Sequence, residues 1–236
     1  MKENFWEDKL ESGYYDKLLL SGKSRNRGIQ AAWHDITFNT VSKLIKEDDI
    51  HLDFACGPGT FIGNYVKGKS SLGVDISLNQ IQYANKKYEG KFLKLDDFDF
   101  KKYDNYFDKI TILGLIEFLS LEEIDDLIKK MRSLLKKNGE IIITTPNFVG
   151  LMNILAFLSS YLGPVNYLNQ WKTKFNKNKF LRSIDIQVEE INIEKHLNLG
   201  IIISYFNLDF GRKLSELISK ISKYNLGWIL LIKIKK

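Results

Sequence analysis

The sequence predicts an α/β protein whose mostly parallel sheet of seven strands is covered by helices on both faces. Apolar runs of strand length alternate with helical segments from about 50 to 145. Strands separated by single helices require right-handed crossovers, which place neighbouring strands parallel and bury both faces of the sheet. Within that rhythm, His51-Leu52-Asp53-Phe54-Ala55-Cys56-Gly57-Pro58-Gly59-Thr60-Phe61 reads as a buried strand, a tight glycine turn and a helix start. At 236 residues the chain fits one domain over 1–236 and is long enough to bury a real core.

Residues 1–48 read as a helical N-terminal extension. Ile29, Trp33, Ile36, Val41 and Leu44 fall near helical spacing and predict an amphipathic helix from about Gly28 to Lys46. Strands follow at 50–54, 70–75, 91–95, 107–113 and 140–145, with helices at about 60–67, 77–88 and 121–136. Ser77 with Gln80, and Ser120 with Glu123, have the spacing of capping boxes and fix two helix starts. Asn138-Gly139 is expected to stop the third helix before strand five. Between 148 and 185 the rhythm breaks into an aromatic, then lysine-rich insertion. It resumes over 186–236 with a helix-like stretch near 189–198, a strand at 200–206, a helix at 212–224 and a last strand, Trp228 to Ile234.

Composition narrows the function classes. The net charge of +6 comes mostly from lysine scattered along the chain, whereas a nucleic-acid footprint needs basic residues clustered on one face. A single cysteine excludes an intrachain disulfide and fits a reducing compartment. The N-terminus is polar and mixed in charge, unlike a secretory signal, and no apolar run reaches the ~18–20 residues of a spanning helix. A cytoplasmic protein without a transmembrane segment is expected. The histidines at 34, 51 and 196 have no metal-ligand spacing, so no metal site is expected.

The glycine turn points to a nucleoside-containing cofactor. Asp75 ends a second strand about 20 residues after the turn, where a ribose-binding acid would sit. Asp53 separates two cofactor classes, because a dinucleotide would set its pyrophosphate over the turn, where a strand-end carboxylate repels it. S-adenosylmethionine places an ammonium there, which a carboxylate binds. Pro58 removes one N–H from any phosphate cradle, and the third glycine of the dinucleotide spacing is Ile62 here.

On these residues the chain resembles the class I S-adenosylmethionine-dependent methyltransferases over about 50–147, with Leu52 to Thr60 as the most specific motif. The resemblance implies a Rossmann-like three-layer sandwich with an antiparallel last strand and a helical cap. It implies that Asp53 and the backbone of Ala55, Cys56, Gly57 and Gly59 hold the methionine portion of S-adenosyl-L-methionine. Asp75 would take the ribose hydroxyls, Ile76 would pack on the adenine, and Asp96, Asp97 or Phe98 would meet the adenine edge. Gly114 and Leu115 would line the methyl-donor site. Relatives acting on small molecules cover the cofactor with an N-terminal cap carrying an aromatic residue, for which Tyr15 is the candidate.

The acceptor is less legible. Amino-methylating nucleic-acid enzymes of this kind carry an Asn/Asp-Pro-Pro-aromatic run after strand four, where this chain has Leu113-Gly114-Leu115-Ile116-Glu117-Phe118. A small-molecule acceptor, methylated on oxygen, is the expectation. RNA or protein methylation through the basic-aromatic run Trp171 to Phe180, and a non-catalytic cofactor-binding scaffold, are the alternatives. Arg25 and Arg27 read as a solvated basic turn or as partners of an anionic group, and Phe148 to Trp171 would form an acceptor lid, with a membrane-surface helix as the alternative. A hydroxyl acceptor needs a base, and His34, beside Trp33 on the cap helix, is the candidate catalytic residue. His196 is held in reserve.

Overall fold

The computed structural model describes residues 3–150, 153–154, 170–183, 190–224 and 226–236, so the expected lid insertion lies largely outside the described residues. Strands His51–Phe54 (β1), Ser71–Asp75 (β2), Lys91–Lys94 (β3), Phe107–Leu113 (β4) and Leu135–Pro146 (β5) pair in parallel in the order β3-β2-β1-β4-β5. Ile229–Lys235 (β7) pairs antiparallel with both β5 and the edge strand Ile191–His196 (β6), completing a seven-stranded sheet. The strand order reverses between β1 and β4, the topological switch where an open α/β sheet leaves a crevice at its strand ends.

Strand pleating divides the core between the two faces. Ile141 and Ile143 pack with Leu52, Ile110 and Ile112 against Ile124, Ile128 and Met131 of Leu121–Leu134 (α6). Ile142 between them packs with Phe61 and Ile62 of Thr60–Tyr65 (α4) and Ile81 and Ala84 of Leu78–Lys87 (α5). Each fully buried aliphatic side chain contributes at most roughly 1.5–3 kcal/mol.

The N-terminal extension is helical as expected, in Glu3–Asp8 (α1), Tyr14–Ser24 (α2) and Ile29–Ser42 (α3). Buried carboxylates pin it to the sheet layer. Asp16 of α2 accepts hydrogen bonds from the hydroxyls of Tyr83, at 2.8 Å, and Tyr88. Asp35 of α3 accepts from Tyr65 at 2.7 Å and from Lys23 at 3.0 Å.

The structure corrects several local readings. The Ser120–Glu123 capping box is complete, but Ser77 caps α5 alone, because Gln80 instead accepts the backbone N–H of Gly13 at 3.0 Å. Helix α6 ends at Leu134 rather than at Asn138-Gly139. β5 begins at once, and its register against β4 jumps from Leu135 to Glu140, so that Asn138, at φ 67°, sits in an irregularity within the strand. The stretch near 189–198, expected to be helical, is β6, whose Ile191-Asn192-Ile193-Glu194 alternates with the period of a strand. Residues 200–206, expected to be a strand, form the 3-10 turn Leu199–Tyr205, which packs on helix Leu208–Ile221. At that contact a Cβ on Gly211 would fall 2.5 Å from the backbone nitrogen of Ser204, so small residues allow a backbone approach that overrides the β-propensity of Ile201 to Ile203. The remaining described helix, Lys177–Ser183 (α7), buries Phe180, and we number Leu208–Ile221 as α8.

Candidate active site

A cleft of about 880 Å³ opens at the switch point, within the size range of small-molecule sites. The ends of β1, β2, β4 and β5 form its floor. Trp6 of α1, Leu10 after it, Tyr15 of α2 and Ile29 to Phe38 of α3 cover one side, and Ile201, Ile202, Tyr205 and Trp228 reach it from the C-terminal elements. Among the described residues, the charged side chains that line it are three carboxylates, Asp53, Asp75 and Glu117, with no Lys or Arg. Such walls favour a cationic ligand and repel a pyrophosphate.

The turn after β1 explains its glycines. Gly59 has φ 74°, and a Cβ there would fall 2.6 Å from the Phe92 ring, so both conformation and space exclude a side chain. Gly57 has φ 53° and faces open space, leaving its backbone accessible to a ligand. Its N–H donates to Asp75 Oδ2 at 2.8 Å, and Ser77 N–H donates to Asp75 Oδ1 at 2.9 Å. With the Ile76 N–H as a third backbone donor, the carboxylate still keeps acceptor capacity for a ligand. Burial raises the Asp75 carboxyl above its usual range, against the lowering effect of these backbone hydrogen bonds.

Asp53 is buried, and its Oδ1 accepts from Thr111 Oγ1 at 2.7 Å. With its one proton given to Asp53, the Thr111 hydroxyl accepts from His51 Nε2 at 2.8 Å, while His51 Nδ1 accepts from the Ser71 hydroxyl at 3.0 Å. Burial, reinforced by the Lys69 charge, pushes His51 down to about 3, so it stays neutral. Burial pushes Asp53 up to about 7; the Thr111 bond opposes this rise and the Asp75 charge adds to it.

Glu117 follows β4 in the 3-10 turn Ile116–Phe118. Its Oε2 accepts from the Thr145 hydroxyl at 3.0 Å, and its backbone carbonyl accepts from the N–H groups of Lys172 and Thr173. Burial pushes this carboxyl up to about 7. A Cβ on Gly114 would lie 3.7 Å from Glu117 Oε1, so the carboxylate flanks the Gly114 turn. His34 lies in the cleft wall with Tyr15 edge-on at 5.4 Å and Phe38 at 5.7 Å, and burial pushes it down to about 4.

Of the residues singled out from sequence, Tyr15, His34, Asp53, Ala55, Cys56, Gly57, Asp75, Ile76, Gly114 and Leu115 all line the cleft. Gly59, Asp96, Asp97 and Phe98 do not. Gly59 supports the turn from behind, Asp96 pairs with Lys94 at 2.6 Å, Asp97 is exposed, and Phe98 is buried against Tyr103. Leu95 reaches the cleft from that segment instead. Arg25 and Arg27 lie outside the cleft walls, and His196 pairs with Glu194 at 3.0 Å, also away from the cleft. Cys56 is buried, and burial holds its thiol well above the usual range, which suits packing rather than nucleophilic chemistry. Sequence reasoning passed over Glu117, whose signal was one acid in an otherwise apolar run. It also passed over Thr111 and Glu7. Glu7 approaches from α1, accepts from the Ser77 hydroxyl at 2.7 Å and adds negative charge beside Asp75.

The residues present fit S-adenosylmethionine. The floor carries buried acids for a cation, the Gly57 turn offers open space, and the Thr60 hydroxyl in the cleft wall is buried with no hydrogen-bond partner among the described residues. Comparison with known proteins agrees. Residues 52–139 match the family model of the methyltransferase domain. Among solved structures, an S-adenosylmethionine-dependent methyltransferase from Archaeoglobus fulgidus superposes with TM-score 0.56 at 21% identity, over 86% of this chain and 94% of that one. One from Thermotoga maritima, described as a possible histamine N-methyltransferase, superposes with TM-score 0.62 at 15% identity, over 94% of both chains. A plantazolicin methyltransferase in complex with a desmethyl analogue and SAH gives TM-score 0.59 at 18% identity, over 99% of this chain and 94% of that one. Among curated proteins, a 4-diphosphocytidyl-2-C-methyl-D-erythritol kinase of Pelagibacter ubique is 28% identical over 171 residues, 72% of this chain. That match spans 59% of the kinase's length, and a cleft whose charged walls among the described residues are carboxylates does not suit a nucleoside triphosphate.

Proposed function

We propose that the chain, whose residues 52–139 match the methyltransferase-domain model, is a class I S-adenosylmethionine-dependent methyltransferase that methylates an oxygen of a small-molecule acceptor, within one domain spanning the chain and in the cytoplasm. The bound cofactor supplies an electrophilic methyl group on a sulfonium centre. The protein's own residues bind, align and exclude water. Asp53 and the Gly57 turn would hold the amino-acid portion, and Asp75 the ribose. Tyr15, Ile76, Gly114 and Leu115 would complete that half of the cleft.

The observation that carries the acceptor reading is Glu117, a buried carboxylate in an aromatic and aliphatic cleft, with its Oε1 flanking the Gly114 turn. A general base works best with a pKa near the operating pH. Glu117, at about 7, meets that condition, whereas His34, at about 4, is neutral but a weak proton acceptor. We therefore assign the acceptor's proton to Glu117 Oε1 and give His34 the role of an aromatic-packed wall. The same carboxylate also supports a second reading, N-methylation of an amine whose cation it would anchor, in line with the description of the Thermotoga neighbour.

RNA methylation through Trp171 to Phe180 is disfavoured, because Phe175 and Phe180 are core side chains and cannot stack on bases. The test is incubation with methyl-labelled cofactor and three separate pools: small metabolites, RNA and protein. Label in a small metabolite is expected, on oxygen by mass spectrometry. Label in RNA or protein would overturn the reading, and tight cofactor binding without turnover on any pool would leave a scaffold.

A further inference from the structure

The apolar stripe of α8 faces solvent. Leu208, Gly211, Ser215 and Ser219 form its buried side, against the 3-10 turn Leu199–Tyr205, while Phe210, Leu217 and Ile221 lie on an exposed stripe at i, i+7 and i+11. Among the described residues, more than half of the exposed large apolar side chains fall between Leu199 and Leu226. Phe206, at 78% exposure, and Ile221, at 74%, are the most exposed of these. An amphipathic helix ordinarily turns such a stripe inward, so a contiguous outward patch marks an interaction surface.

Charge indicates the occupant. Lys213 and Lys220 flank the stripe by helical geometry, Lys223 follows it, and Arg25 and Arg27 adjoin it. The Arg25–Arg27 turn is tied to α8 by the Leu208 N–H, which donates to the Asn26 carbonyl at 2.8 Å. The acids of the 3-10 turn and α8 are Asp209 and Glu216 alone, and both pair with basic side chains of the same helix, so the patch is net basic. A symmetric pair of copies meeting through this face would set those lysines against each other. An anionic bilayer would satisfy both the apolar stripe and its basic rim. The same surface runs into the cleft, since Ile202 and Tyr205 are exposed on it and also line the cleft mouth.

We propose that the outward face of the 3-10 turn and α8 docks the protein on an anionic lipid bilayer, with the cleft mouth at the membrane surface. An apolar acceptor would then enter from the bilayer, a statement that rests on the methyl-transfer reading above. The docking itself does not.

The test uses the full chain and two kinds of vesicle, one of phosphatidylglycerol and phosphatidylcholine in equal parts, the other of phosphatidylcholine alone. Wild type should co-sediment with the first, weakly with the second, and less as salt rises. Phe210→Ser with Ile221→Ser should lower binding by about tenfold or more. Lys213→Gln with Lys220→Gln should weaken the preference for the anionic vesicle by several-fold, and an unchanged preference would overturn the role of the basic rim. Both double variants replace exposed residues outside the cleft, so cofactor affinity by calorimetry and the unfolding midpoint should match wild type, and cofactor binding reports separately on the methyltransferase reading. No sedimentation of wild type with either vesicle would overturn the proposal. So would a concentration-dependent dimer that the Phe210/Ile221 variant abolishes, which would make the face a contact between copies.

Discussion

Thr111 Oγ1 donates to Asp53 Oδ1 at 2.7 Å from the neighbouring strand, while accepting from His51. One hydroxyl thus orients the acid at the floor of the cleft and ties it to a neutral histidine two residues earlier on the same strand. Thr111→Val keeps the shape and removes both bonds. It should destabilise the protein by roughly 1–3 kcal/mol, because two buried polar groups lose their partner. Cofactor affinity should also fall as the Asp53 carboxyl rises further. Denaturant unfolding with calorimetry checks this, and an unchanged affinity would remove Thr111 from the site.

Cofactor affinity should depend on pH with a definite sign. The bare protein holds Asp53 at about 7, and a bound ammonium favours the ionised form. Binding should therefore release protons near neutrality, plateau above about pH 7 and weaken below it, toward about tenfold per pH unit. His34 and His51 are already neutral in that range and contribute nothing. The stability linkage has the complementary sign. A carboxyl raised from 3.8 to about 7 gives the folded state more protons than the unfolded one, so the Asp53 contribution to bare-protein stability falls as pH rises through that window, while His34 and His51, buried neutral, contribute with the opposite sign below about 6.5. Calorimetry across buffers of different ionisation enthalpy tests the first statement, and a flat affinity would contradict it.

Asp75→Ala should lower affinity for the cofactor and for its demethylated product on the order of a hundredfold, since hydrogen bonds to a charged acceptor are worth roughly 1.5–3 kcal/mol each. The structure adds a control, because Asp75 also orders the turn by accepting from Gly57 and Ser77. Asp75→Asn retains an acceptor for one of those N–H groups, so its unfolding midpoint should stay closer to wild type while ribose binding is still weakened. Equal affinity in all three proteins would exclude Asp75 from the ribose site.

What the sequence disclosed about this site follows from which interactions are local. Asp53, the Gly57–Gly59 turn and Asp75 were legible because a strand-turn-helix and a strand end are written in contiguous residues. Thr111 was not, because its partner is 58 positions away and only the β1–β4 register brings them together. The 3-10 turn at 199–205 was misread because the close approach of Gly211 to Ser204 decides it, a tertiary constraint with no local signature. Asp96 has a motif's position but lies beside Lys94 on the exposed side of its turn, and ion pairing there is as compatible with the local sequence as adenine contact.

Ala55 sits at φ 65° in the turn between Asp53 and Gly57, a left-handed conformation that costs an L-residue with a Cβ roughly 1–2 kcal/mol. Ala55→Gly relieves that strain but frees the unfolded chain, an offset of roughly 0.5–1 kcal/mol. The net expectation is neutral to about 1 kcal/mol more stable, read from the unfolding midpoint. A destabilised Ala55→Gly protein would mean that the Ala55 methyl contributes packing that outweighs the strain.

The base can be identified by the position of the acid limb in the pH–rate profile. Glu117→Gln is nearly isosteric and keeps an oxygen for the Thr145 hydroxyl, so fold and cofactor affinity should persist while turnover falls by roughly 10²–10⁴-fold. With Glu117 as base, and cofactor kept saturating so that the Asp53 titration does not enter, the wild-type profile should lose activity as pH drops below about 7, because protonated Glu117 cannot accept a proton. That limb should vanish in Glu117→Gln and survive in His34→Ala, whose turnover should change less. The opposite pattern, with a limb near about 4 that His34→Ala abolishes, would return the proton to the imidazole. A third variant, Glu117→Asp, retracts the carboxylate by one methylene without removing it. Partial turnover with the limb retained separates a base that acts through its proton affinity from one that only fills space beside Gly114.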